Sequence, residues 1–135
     1  MTRQDLALAG FVAAGGALGS VARFVLGTLV QQRAGAGFPV GTLLVNVTGS
    51  LLIGAIMRWA TAGSAVSPEA RLFLVTGICG GYTTFSTFSY ETARLLEDGD
   101  QSRALLYVVL SVALSLAATF AGFAIARVAF GARGA

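Results

Sequence analysis

The sequence predicts an all-α integral membrane protein of four transmembrane helices, the third broken near its centre. Three observations carry this. The 135-residue chain is 56% hydrophobic and only 11% charged, with a mean hydropathy of +0.79, where a soluble domain of this size holds about a quarter charged residues. Four uncharged runs approach or exceed the ~20 residues that cross a bilayer at 1.5 Å each. The third run contains GGYTTFSTFS, residues 80–89, which sets two glycines, three threonines and two serines in the middle of apolar chain.

The spans follow in order, at about residues 6–30, 38–60, 70–93 and 104–127, in one domain covering 1–135. The first joins Leu6–Ala22 to Phe24–Val30 across Arg23. It continues past any plausible cleavage site, so it reads as a span rather than a signal peptide. The second runs from Ala34 to Met57, with Pro39 near its start, where a proline costs a helix little. Ser67, Pro68 and Glu69 mark the start of the third, which is uncharged from Leu72 to Tyr90. Arg94 to Arg103, with Glu97, Asp98, Gly99 and Asp100, reads as a solvated turn. The fourth runs from Ala104 to Ala126.

Composition also excludes functions. All nine basic residues are arginines, scattered, and the net charge is only +3, so no basic groove for nucleic acid is expected. With no histidine and the single Cys79, neither a zinc cluster nor an intrachain disulfide can form. A Ser-His or Cys-His nucleophile cannot be assembled either, and no enzyme activity is expected. Arg3, Arg58, Arg71, Arg127 and Arg133 fall on the side of the termini; Arg33, Arg94 and Arg103 fall on the other, with Arg23 near that end. Orientation normally follows a clear excess of Lys and Arg in cytoplasmic loops. So small a bias permits insertion in both directions, or one orientation set by a marginal excess.

The spans carry polar stripes that lipid-facing helices lack. Thr42, Asn46 and Ser50 recur every four residues on one face of the second span, and Tyr107, Ser111, Ser115 and Thr119 do so on the fourth. Such groups can glue helices together or offer donors to a small ion or polar solute. Both amide ends of Asn46 need partners, so Asn46 faces protein or water. Gly15/Gly19 and Gly77/Gly81 have GxxxG spacing and read as packing faces. Gly77, Gly80 and Gly81 weaken the third helix, and a break there would free carbonyls able to hold a bare cation. Phe85 and Phe88 share a face. Their rings either pack or present positive edges to an anion.

GGALGSVARF (15–24), GTLLVNVTGSLLIG (41–54) and GICGGYTTFSTFSYE (77–91) together resemble the Fluc/CrcB fluoride channel family across all four spans; the fourth matches through its Tyr and Ser stripe. The resemblance implies an antiparallel, dual-topology homodimer with two fluoride pores, passive fluoride export, and residence in the bacterial plasma (inner) membrane. It implies a structural sodium ion at the dimer centre, held by the main-chain carbonyls of Gly80 and Thr83. It assigns Asn46, Phe85, Phe88, Tyr107, Ser111 and Thr42 to the pore, and matches Arg23 and Glu91 without fixing their roles. The rival class is the small multidrug-resistance type of dual-topology, proton-coupled transporter. That class needs an embedded first-span Glu, which this chain lacks; its deepest acid is Glu91.

Overall fold

The structure, a computed structural model, describes residues 2–61 and 66–130. Arg133, counted above on the side of the termini, lies outside them. The described residues form helices and no strands: α1 (Arg3–Ala34), α2 (Val40–Thr61), α3 (Pro68–Arg71), a π-helical stretch Leu72–Cys79, α4 (Gly80–Tyr82), α5 (Phe85–Glu97) and α6 (Gln101–Phe130). Of these, α1, α2 and α6 are each long and apolar enough to cross a membrane.

Local chemistry sets the ends. A capping box opens α1: Thr2 Oγ1 accepts from Asp5 N–H at 3.2 Å, and Thr2 N–H donates to Asp5 Oδ2 at 2.7 Å. The bond from Thr2 N–H, made to the ionised form, holds the Asp5 carboxyl below its ordinary range. α1 is 32 residues, about 48 Å long, so it overshoots the apolar run that predicted it. Gly35 ends it at φ 83°, a left-handed geometry suited to glycine. Ser67 caps α3, with Pro68 in the first turn. The expected turn at Arg94–Arg103 is shorter than its charge suggests. α5 stays helical to Glu97, Gly99 turns at φ 79°, and α6 starts at Gln101.

The third segment differs from expectation in where it breaks. Gly77, Gly80 and Gly81 remain helical. Gly77 and Gly81 serve contact with α1: a Cβ on Gly77 would meet Gly15 Cα at 2.8 Å, and one on Gly81 would meet Gly16 Cα at 3.0 Å. The two GxxxG faces therefore meet each other. The chain breaks at Thr83–Thr84, whose backbones are extended (φ/ψ −83°/158° and −151°/112°), and α5 resumes beyond.

A valine at Gly15 would press against Phe73 O and Gly77 Cα, backbone atoms that cannot rotate away. Gly15→Val is expected to destabilise by about 3 kcal/mol or more. Gly10→Val, with nothing within 4 Å, should be nearly neutral. Thermal melting of the two purified variants side by side checks the contrast.

α2 and α6 make the largest helix–helix seam, closed through Gly54 against Thr119 and Gly122 against Leu51. Few large side chains are fully buried: Val45, Cys79 and Tyr107. Leu18, Val21, Phe24, Leu105, Phe120 and Val128 are exposed, as suits helices solvated by hydrocarbon. This is a multi-pass membrane protein.

Candidate functional site

The site forms where the break in the third segment lies between α2 and α6. Asn46 anchors it. Its Oδ1 accepts from Thr84 N–H at 2.8 Å, and its Nδ2 donates to Thr84 O at 3.0 Å. Both amide ends, which had to find partners, close on one residue of broken backbone. Thr84 Oγ1 then caps α5, accepting from Thr87 N–H at 3.1 Å.

These two side chains redirect specific backbone donors. In an unbroken helix Thr84 N–H would donate to Gly80 O, and Thr87 N–H to Thr83 O. Both amides are taken by Asn46 and Thr84 instead, so neither carbonyl receives the amide that a continuous helix would give it. Thr83 itself is held back on Cys79 O, by its N–H and its hydroxyl, each at 3.0 Å. Gly49 makes room for it, since a Cβ there would strike the Thr83 methyl.

A cavity of about 440 Å³ opens beside this break, lined by Asn46, Gly80, Thr83, Phe85, Phe88 and Ser111, among others. Phe85 is 79% exposed. Its ring centroid lies 5.5 Å from that of Phe88, which lies 5.2 Å from that of Tyr107. Phe38 meets the other side of Tyr107 edge-on at 5.5 Å. Ser111 is buried on the cavity wall. Its hydroxyl is the one buried side-chain polar atom without a hydrogen-bond partner among the described residues.

At one end, Glu91 ties three elements together. Thr42 donates to its Oε1 at 2.9 Å and Tyr107 to its Oε2 at 2.6 Å. A second cavity of about 450 Å³ lies between α1, α2 and α5, and Arg23, Thr42, Thr84 and Glu91 line it. The structure thus brings Asn46, Gly80, Thr83, Phe85, Phe88 and Ser111 to one cavity, with Tyr107 against Phe88 at its edge. Thr42, Glu91 and Arg23 line the neighbouring cavity.

The stripes divide. Thr119 donates to Ser115 O at 3.0 Å and Ser50 O at 3.3 Å, which is helix glue. The hydroxyls of Thr48 and Tyr82 bond each other at 2.8 Å, also glue. Sequence reading passed over Gln31. Its side chain donates to Phe38 O at 3.0 Å and accepts from Gly41 N–H at 3.0 Å, fixing the loop that seats Phe38. Its position four residues before Gly35, a glycine at a helix end, was the available signal.

As a whole, the cavity beside the break offers an orphan hydroxyl, ring edges and freed carbonyls, and no guanidinium lines it. It can replace water around a small ion piecemeal.

The family model described as "CrcB-like protein, Camphor Resistance (CrcB)" matches residues 10–123. A "Fluoride-specific ion channel FluC" of Rhizobium meliloti (strain 1021) is 54% identical over 116 residues, 86% of this chain and 93% of that one. A protein of the same name from Thermus thermophilus is 54% identical over 112 residues, 83% and 89% of the two chains. That of Geobacter sulfurreducens is 53% identical over 116 residues, 86% and 94%. With a family match over most of its length and relatives of this similarity, this chain belongs to the CrcB family of ion channels.

Proposed function

We propose that this protein is a fluoride-selective channel of the bacterial plasma (inner) membrane that lets fluoride leave the cytoplasm passively. The observation that carries this is the buried, unpartnered hydroxyl of Ser111 on the wall of a cavity otherwise lined by Phe85, Phe88 and Asn46. An unmade hydrogen bond at such a site costs free energy, and a passing anion would accept from that hydroxyl. Similar proteins named fluoride-specific ion channels support the choice of ion.

Stripping fluoride of water for hydrocarbon would cost tens of kcal/mol. The hydroxyl of Ser111 and the ring edges of Phe85 and Phe88 replace that water in part. A guanidinium in the narrow part would hold the ion too long, since conduction requires that it also leave. Arg23, one cavity away, instead raises the positive potential near the entrance. Glu91, which lines that same cavity, keeps Thr42 and Tyr107 oriented.

The working unit in this reading is an antiparallel, dual-topology homodimer with two pores, each chain contributing one four-span domain over 1–135. The broken third segment makes the fourth crossing. Support comes from the exposure of Phe85, which a second copy would cover, and from the weak arginine bias. The freed carbonyls of Gly80 and Thr83 suit a bare cation, and these two would hold a structural sodium ion at the dimer centre. When bound, that ion supplies a fixed positive charge that offsets the cost of the anions from a distance.

Liposomes carrying the purified protein and loaded with both halides should release their fluoride and retain chloride, read with ion-selective electrodes. Comparable chloride release would overturn the fluoride reading and leave a generic anion pore.

A further inference from the structure

We propose that the end of the molecule opposite Glu91 carries a binding site for the phosphate headgroup of an anionic phospholipid, formed by Arg58 and Arg127. Arg58 lies in the last turn of α2 and Arg127 in the last turn of α6. Both line one cavity of about 270 Å³, together with Met57, Thr61 and Phe123. Arg71 approaches from the third segment, its Nη2 3.9 Å from Met57 Sδ.

Complementing the two helix C-termini explains one arginine per helix. It does not explain why two permanently charged groups face the same cavity with no acid between them. Among the described residues the one ion pair is Arg103–Asp100, beyond the other end of α6. Of the acids near this end, Asp5 is engaged by Thr2, and Glu69 lines a separate cavity with Phe11 and Phe73. Among the described residues no acid pairs with either arginine, which leaves both free to take an anion.

Position decides which anion. Trp59, the chain's single tryptophan, packs against Phe130 with ring centroids 5.9 Å apart and planes tilted by 41°, within a turn of Arg58 and Arg127. Tryptophan concentrates at the membrane–water interface, so the cavity sits at headgroup depth. Guanidinium matches phosphate oxygens in a bidentate fork, while Met57 and Phe123 give acyl chains an apolar floor. A basic pocket between helices at this depth is the usual form of an anionic-lipid site.

Trp59 is a built-in reporter. In vesicles of phosphatidylcholine, a trace of phosphatidylglycerol brominated near the top of its acyl chains should quench Trp59. Two arginines enrich such a lipid up to about thirtyfold over a zwitterionic one. Per mole it should therefore quench several-fold better than equally brominated phosphatidylcholine. In R58Q/R127Q the two lipids should quench alike, while Arg3→Gln, at the same end but off the cavity, should keep the difference. Equal quenching by both lipids in the unmodified protein overturns the proposal whether or not the variants fold. Loss of the difference on adding inorganic phosphate at matched ionic strength would also overturn it, by identifying the ligand as free phosphate.

Discussion

Replacing Asn46 with leucine should lower fluoride flux by about a hundredfold or more, the largest effect expected of a single conservative-volume change in this protein. Leucine removes both bonds to Thr84 and leaves a donor and an acceptor of a buried backbone residue without partners, each at a cost of about 1–3 kcal/mol. The chain's simplest relief is for Thr84 N–H to turn back to Gly80 O and heal the helix. That would re-engage the carbonyl and move Phe85 and Phe88 off the cavity wall. About 2.7 kcal/mol of lost organisation corresponds to the hundredfold. Asn46→Asp separates geometry from polarity: it can still accept from Thr84 N–H but sets a carboxylate oxygen against Thr84 O, so it should be nearly as damaging. Thr119→Val, which removes only a glue hydroxyl, should conduct almost normally. Stopped-flow or electrode flux from liposomes, at equal folded protein, measures all three. Asn46→Leu conducting within twofold of the unmodified chain would disconnect the break from conduction.

Phe85→Ile and Phe88→Ile should each reduce fluoride flux at least tenfold while leaving the fold largely intact. Neither ring carries a hydrogen bond. If the rings only pack, an apolar swap costs about 1–2 kcal/mol of stability or less and little transport. In the proposed pore each swap removes a positive ring edge where water is scarce, and a tenfold loss needs only about 1.4 kcal/mol. The geometry separates the two. Phe88 lies between Phe85 and Tyr107, so its loss also frees the Tyr107 ring beside Glu91. Phe85 is mostly exposed in the protomer, so Phe85→Ile should leave the packing within each protomer nearly unchanged while still cutting flux. A stable, normally conducting Phe85→Ile would make these phenylalanines packing residues.

Much of the site was legible because its signals are local. Asn46 announced itself: an amide amid an apolar run must find partners for both ends, and it did. The TTFSTFS stretch announced a break, but glycine content misplaced it. Gly77 and Gly81 look like helix breakers in isolation, yet they stay helical because α1 presents Gly15 and Gly16 close enough that any side chain would collide. Thr84 breaks the helix because Asn46, 38 residues earlier in the chain, takes its amide hydrogen.

The all-helical class, the apolar runs and the polar stripes were legible in the sequence alone. They depend on residue type and on helical period, which need no knowledge of neighbours. What each polar group does was decided only by tertiary structure. Ser111 and Thr119 sit on the same stripe eight residues apart. Thr119 is bound to Ser50 O because Gly54 lets α2 and α6 close together there. Ser111 keeps a free hydroxyl because the break in the third segment opens a cavity opposite it. Arg23, matched by the family resemblance along with the pore residues, falls on the neighbouring cavity. A hydrogen bond goes to whichever partner comes within about 3 Å, and that distance is set by how helices distant in sequence pack, not by the stripe that carries the donor.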